Sequence, residues 1–395
     1  MSDQSIRQPS RALWSDSGWC AVTAAFTLNG FLFGVWASRI PSFKEEFALS
    51  QATLGFLLLG LAGGAITSFP FAGGLSERLG AARMTVLCAI IYCPALVALS
   101  LAPSVILLGM ALFVFGAMHG SMDVAMNGWA AKVETRMARP TMSIFHAMFS
   151  LGAGLGAASG YIAVKLGLAP AAHFLLMAGI GGAIALRLMW PERDATPPIP
   201  AASHAERKLF ALPKGPLLLV GLVALAISMG EGGMADWSAV FLQRVVQVSE
   251  AQAALGYAAF SATMVLTRLA GGLLVQWLGP VGVTRMSGLM ACLGLVIVIF
   301  APGLSWALFG FALVGIGYAL IMPLVFSRAA NDPDLPPGPA IASVATVGYS
   351  GMLLGPPVVG FVAELFGLRV SFAMLALLGV WGAAMAPVLR VAPSR

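Results

Sequence analysis

Charge is scarce in this chain: Asp, Glu, Lys and Arg together make up 10% of its 395 residues, against 59% hydrophobic. Soluble domains are about 25% charged and about 45–50% apolar, and a globule has too little interior to hide so much apolar surface. The composition therefore argues against a water-soluble enzyme. Cysteine is equally sparse. Cys20, Cys88, Cys93 and Cys292 all fall in apolar runs without a CxxC pair, which marks small core side chains and leaves no basis for disulfides or metal ligation. The four histidines are spread over distant segments, and no HExxH, Walker loop or dinucleotide fingerprint occurs. No enzyme activity, cofactor or metal is expected. A net charge of +6 with a pI of 9.4 comes without a basic stripe interleaved with aromatics, so nucleic acid is not an expected partner.

What is present is apolar length. The mean hydropathy is +0.90, and Gly 46 and Pro 24 suit membrane helices, where both residues are commoner than in soluble ones. Apolar runs of spanning length occur near 18–39, 52–75, 83–101, 104–128, 141–166, 170–190, 216–242, 252–276, 285–301, 303–328, 340–366 and 369–390. A bilayer helix needs about 20 such residues, so twelve transmembrane helices are expected in an all-α membrane protein. The polar start from Met1 to Ser17 leads into a run too long for a cleavable signal, and the first span is expected to serve as its own insertion signal.

The longest polar interruption, Pro191 to Lys214, holds Pro197, Pro198, Pro200 and the basic Arg207-Lys208. It divides the chain into 1–190, a linker at 191–214, and 215–395. With both termini cytoplasmic, sixteen cations lie inside, among them Arg7, Arg11, Arg139, Arg207, Lys208 and Arg395, against five outside. That bias fixes the orientation by the positive-inside rule. The two parts also repeat. Trp36 matches Trp237 and Gln51-Ala-Thr-Leu-Gly55 matches Gln252-Ala-Ala-Leu-Gly256, while Phe149-Ser150 matches Tyr349-Ser350 and Gly167-Leu168 matches Gly367-Leu368, all about 200 residues apart. Parallel six-helix repeats place a solute site between them near the bilayer midplane.

Between the second and third spans, Gly73-Gly-Leu-Ser-Glu-Arg-Leu-Gly80 is followed by Arg83. This segment resembles the G-x-L-[AS]-D-R-x-G-R signature of the major facilitator superfamily, with Glu77 for the usual Asp and Ala81 where a basic residue is expected. The second copy, Gly272 to Gly279, keeps the glycines and replaces the charged pair with Gln276-Trp277. The resemblance covers the whole chain. It implies the major facilitator fold, twelve helices in two pseudo-symmetric six-helix bundles, with Gly73, Glu77, Arg78, Gly80 and Arg83 as a cytoplasmic gate.

An ionisable side chain at bilayer depth costs a few kcal/mol on insertion scales and is a functional candidate by default. The set here is Asp123, Glu231, Asp236 and Arg268, with His119 and His146 beside them. From about 1.5 Å rise per residue, Asp123, His146 and Arg268 fall at similar depth, and Glu231 near the midplane. His119, Asp123 and Asn127 recur at four-residue spacing and form one polar face. The spacing is similar to the Glu-x-x-x-Asn of the fucose:proton symporter-like branch, where the helix-4 acid is a proton site. The helix-1 acid of that branch is missing here; Arg39 lies in that neighbourhood, and Asn29 adds a polar group on helix 1. Glu231-Gly-Gly-Met-Ala-Asp-Trp-Ser238 resembles the MosC/YbjJ-like group.

Gly230, Gly232 and Gly233 are expected to unwind helix 7 locally, leaving Asp236 to cap the break or to pair with Arg39. Trp36 and Trp237 are expected to stack on a solute from opposite sides, or to sit at the outer interface. Asp123 is expected to load and release a proton, aided by Glu231, Arg268 and His146; a static Asp123–Arg268 or Asp123–His146 pair is the structural alternative. Together these features predict a monomeric bacterial inner-membrane transporter that couples protons to uptake of a sugar, polyol or related solute. Proton-driven export of a metabolite or drug and a non-transporting sensor are the alternative readings.

Overall fold

In a computed structural model, residues 16–137, 141–196, 213–335 and 337–390 are described, and among them every regular element is helical. Arg7, Arg11, Arg139, Arg207, Lys208 and Arg395 lie outside the described residues, as do the linker prolines Pro197, Pro198 and Pro200. The helices are α1 (Ser17–Glu46), α2 (Gln51–Leu79), α3 (Ala81–Leu99), α4 (Val105–Met137), α5 (Met142–Lys165), α6 (Pro170–Met189), α7 (Pro216–Arg244), α8 (Glu250–Ala253), α9 (Leu255–Ile299), α10 (Leu304–Tyr318), α11 (Ile321–Ala330), α12 (Pro337–Phe366) and α13 (Leu368–Ala384). Ten described helical stretches are long and apolar enough to cross a membrane, and α13 is a shorter apolar helix. Large apolar side chains such as Phe71, Ile106, Trp277 and Leu365 are more than 70% exposed. Water would make that surface costly and lipid does not; the chain is an integral membrane protein.

Helix ends follow local chemistry. The Asp16 carboxylate accepts from the Trp19 amide at 2.8 Å to start α1, and Ser249 with Gln252 forms a capping box on α8. Glu134, near the end of α4, accepts both the Thr141 and Met142 amides at 2.6 Å, which caps α5 from another helix. Pro170 and Pro216 begin α6 and α7, where a missing N–H costs nothing.

The repeat seen in the sequence is visible in the backbone. Gly80 and Gly279 take φ of 90° and 66°, and Gly167 and Gly367 take 69° and 85°. Both pairs stand about 200 residues apart at left-handed turns that L side chains rarely adopt. The connection between the eighth and ninth sequence runs, expected over several residues, shrinks to Gly279 inside α9, because Pro280 restarts the helix directly after it. Packing repeats as well. α1 lies along α5 and α7 along α12, while α2 lies along α4 and α9 along α10. On the α1–α5 seam, Gly30 and Gly152 leave room for the Phe149 and Thr27 carbonyls. On the α7–α12 seam, Gly351 and Gly355 do the same for Leu225 and Met229. Such small-residue contacts let membrane helices approach closely.

Two further seams, α5 against α9 and α2 against α12, join residues before the linker to residues after it. Both close toward the end of the molecule that holds the α1–α2 and α7–α8 turns, here the far end. The Ala52 amide donates to Glu364 at 2.9 Å, Gly55 meets Gly360, and the Phe56 and Phe361 rings lie 4.9 Å apart. Gly160 likewise meets Ala254, and Gly154 meets Ser261. Toward the linker end, Gly73, Gly74 and Gly272 have open space around them.

Candidate functional site

Separate groups of polar side chains lie in the middle of the helices. On α4, the Asn127 amide donates to the Asp123 carbonyl at 2.9 Å and to its carboxylate at 3.2 Å. Neither His146 nor Arg268 bonds to Asp123, so the static pairs weighed from sequence are not formed. One turn earlier, His119 Nδ1 sits 3.1 Å from the Tyr92 hydroxyl, and its ring stacks on Phe33 at 5.1 Å. Asn29 on α1 is fully buried and donates to the His119 carbonyl at 3.3 Å. His146 packs edge-on against Phe26 at 5.2 Å.

Arg268 on α9 is the most connected group. Its Nη2 lies 3.4 Å from Glu231 Oε1, with both side chains mostly buried at 10% and 14% exposure. Nε donates to the Ala319 carbonyl at 3.2 Å, and Nη1 donates to the His146 carbonyl at 3.3 Å and to the Ser150 hydroxyl. The Ala319 carbonyl is free for this because Pro323, four residues on, has no N–H to occupy it. Helix continuity fails at the same point, between α10 and α11.

Tyrosines surround these acids. Tyr349 lies close enough to Asp123, Glu231 and Arg268 to feel the charge of each. Tyr257 stands in the same relation to Glu231 and Asp236, and the Tyr318 hydroxyl fills the space a side chain at Gly230 would need. With Tyr92 on His119, four of the chain's five tyrosines lie around these groups. Composition held that signal: a residue this rare in an apolar chain, when placed mid-helix, has a hydroxyl to satisfy.

Several expectations are corrected. α7 runs unbroken from Pro216 to Arg244; Gly230, Gly232 and Gly233 instead admit Tyr318, the Met352 carbonyl and Leu375. With no break to cap, Asp236 is 3% exposed and its Oδ1 has no hydrogen-bond partner among the described residues. Arg39 does not reach it. Arg39 is held at the far end by Glu250 at 3.4 Å, Ser42 at 3.0 Å and the Leu168 carbonyl at 3.2 Å. Trp36 and Trp237 are 1% and 0% exposed and face no open site. Trp36 packs on Phe43 at 5.2 Å, and Trp237 donates its indole N–H to the Pro356 carbonyl at 2.8 Å.

The signature segment is bound to the start of the linker. Thr196 accepts from the Ala82 amide at 2.7 Å, which caps α3, and its backbone carbonyl occupies the place a Gly80 side chain would need. Arg83 pairs with Asp194 at 2.5 Å, both about half exposed. The hydrogen bond from Arg83 holds the Asp194 carboxyl below its ordinary pKa. Glu77 and Arg78 lie in the last turn of α2, and Gly73 lies one turn earlier.

Comparison with known proteins agrees with this architecture. The family model of the Major Facilitator Superfamily matches residues 20–337. An uncharacterized transporter, y4wD, of Sinorhizobium fredii is 46% identical over 375 residues, covering 94% of this chain and 98% of its own. The membrane protein MosC of Rhizobium meliloti is 31% identical over 367 residues, covering 91% and 87%. Among solved structures, a bacterial homolog of the human lysosomal transporter Spinster, inward-facing and unoccupied, gives a TM-score of 0.74 at 18% identity, covering 98% of this chain and all of that one. The nucleoside transporter NupG gives 0.67 at 13% identity, covering 95% and 99%. At those identities the structural likenesses speak for the fold alone.

Proposed function

The chain belongs to the Major Facilitator Superfamily, and on that premise we propose that it is a proton-coupled symporter of a small polar solute working by alternating access. Twelve crossings result when α9 is divided at Gly279 and α10 with α11 is counted once. They form two six-helix bundles, 1–190 and 215–395, that meet along the α5–α9 and α2–α12 seams. The positive-inside bias supports a bacterial inner-membrane orientation with both termini and the linker end cytoplasmic. The far end is then the outer side, and this conformation is open inward. Glu77 and Arg78 close the inner side when the bundles rock the other way.

The observation that carries the coupling assignment is the difference between the two mid-membrane acids. Glu231 has Arg268 for a counter-ion, whereas among the described residues the Asp123 carboxylate is bonded by a neutral amide alone, Asn127. An acid at membrane depth without a cation has little to hold it in the charged form. Binding a proton from one side and losing it to the other is the cycle that coupling requires. Asp123 therefore carries the proton, while Asn127, Tyr349 and His146 offer donors and acceptors to a hydroxylated solute such as a sugar or polyol.

The test is Asp123→Asn in proteoliposomes. The variant abolishes solute accumulation driven by a pH gradient and retains counterflow, because binding and rocking survive while the driving proton has no site. Undiminished driven accumulation would remove Asp123 from the coupling role.

A further inference from the structure

Ser150 on α5 stands in the sequence as half of the Phe149-Ser150 repeat match to Tyr349-Ser350. Its hydroxyl has a different use. It accepts a hydrogen bond from Arg268, a charged donor on the opposite side of the α5–α9 seam, and donates to the His146 carbonyl at 3.2 Å. Among the described residues, the repeat-equivalent Ser350 bonds within its own helix, to the Val347 carbonyl. Ser150 is 3% exposed, so water does not compete for the bond.

Its place along the seam gives the bond meaning. From the far end, α5 touches α8 and α9 at Gly160–Ala254, then at Gly154–Ser261, then at Ser150–Arg268, with the His146 carbonyl one turn further. Beyond that level Gly272 meets nothing. Among the side-chain contacts described across this seam, those of Arg268 lie furthest toward the linker end. They are also hydrogen bonds from a charged group at membrane depth, where the neighbouring contacts set Gly160 on Ala254 and Gly154 on Ser261, and Ser150 also meets Met264 Sδ at 3.5 Å. Hydrogen bonds from this guanidinium to α5 resist a rotation that turns α9 against α5 to part the far end. The same guanidinium neutralises Glu231 and is anchored on its own side by the Ala319 carbonyl.

We propose that Ser150 is a positioning residue for the transport cycle: its hydroxyl holds Arg268 across the seam and so biases the protein toward the state closed at the far end. The proposal rests on the rocking-bundle reading above and not on the identity of the solute or of the coupling ion. A hydrogen bond to a charged donor contributes enough that its loss shifts a two-state ratio about tenfold or more.

The test reads distances by double electron–electron resonance between nitroxide labels, without solute or gradient, after the four native cysteines are replaced by serine. One pair, Glu46→Cys with Gln247→Cys, spans the far end; the other, Lys132→Cys with Asn331→Cys, spans the linker end. Ser150→Ala should raise the population with a long far-end distance and a short linker-end distance about tenfold. Ser150→Thr, which keeps the hydroxyl, should stay near the parent ratio. Equal ratios in the parent and Ser150→Ala would overturn the role of Ser150, and so would an equal shift in both variants, which points to packing. A single distance at each end in every protein, with and without solute and at every pH, would overturn the proposal through its rocking premise. Neither failure depends on whether Asp123 carries the proton, which the driven-accumulation assay reads separately.

Discussion

Removing Arg268 should cost far more than removing the charge of its partner, and the difference follows from their hydrogen bonds. At 3.4 Å, with an effective dielectric constant of about 20, the Arg268–Glu231 attraction is roughly 5 kcal/mol before desolvation is subtracted. Arg268→Met leaves the Glu231 carboxylate with no other hydrogen bond among the described residues, and breaking a buried pair in this way costs about 3–5 kcal/mol. Glu231→Gln leaves the guanidinium with Ser150, the His146 carbonyl and the Ala319 carbonyl. That loss should be nearer 2 kcal/mol, the size of one charge-assisted bond.

The double variant removes both charges, and it should be more stable than Arg268→Met alone, with a coupling energy of about 2–3 kcal/mol between the sites. Unfolding in mixed micelles, followed by circular dichroism and by labelling of Cys88, which is 2% exposed in the folded chain, gives the four free energies of the cycle. A coupling energy under about 0.5 kcal/mol would refute the reasoning, because two groups that act independently do not form a charge pair that matters. Equal losses in the two single variants would refute the hydrogen-bond part of it, since that part requires Glu231 to depend on Arg268 more than the reverse.

Two predictions concern the clamp between the linker and the signature segment. Thr196→Val removes the acceptor of the Ala82 amide, and because a helix cap contributes about 1 kcal/mol, hydrogen exchange at Ala82 should accelerate several-fold; unchanged exchange would show that the amide has another acceptor. The Asp194 carboxyl is held below the ordinary pKa by the hydrogen bond from Arg83, so its contribution to stability is fully present above about pH 4, the unfolded value. It is lost only as pH falls through the lower folded value. A carboxyl-detected titration should therefore place Asp194 below the usual carboxylate range, and in Arg83→Gln the value should rise toward it.

The fold was legible in the sequence because the bilayer imposes simple rules. Apolar length gave the spans, and the two-part repeat located the left-handed glycines, since Gly80 with Gly279 and Gly167 with Gly367 stand at matching positions in the backbone. The site was legible only in its residue types. An ideal helix gives the angle between Glu231 and Asp236, yet not which neighbours each meets, and the outcome was opposite for the two: Glu231 found Arg268, while Asp236 points among packed side chains with an oxygen left over. The glycines around Glu231, expected to break the helix, form a packing surface instead. Packing prevailed because Tyr318, Met352 and Leu375 occupy the space they leave, and an unwound helix would have lost those contacts along with its backbone hydrogen bonds. Thr196 carried no signal at all, since its partner amide lies more than a hundred residues away.

The asymmetry between the two repeats has a physical origin in one residue. His119 and Ala319 stand 200 positions apart, and the backbone carbonyl of each accepts a bond from another helix, from Asn29 in the first repeat and from Arg268 in the second. In the first repeat α4 is continuous, so the polar chemistry is carried by side chains that project from it, His119, Asp123 and Asn127. In the second, Pro323 withholds the N–H that would have bonded Ala319, the helix divides into α10 and α11, and the backbone itself becomes the acceptor. A bare carbonyl orients a guanidinium without adding a second negative charge beside Glu231. The second repeat thereby fixes a cation in place and the first leaves an acid without one, a division of labour that a chain with 10% charged residues achieves with a single proline.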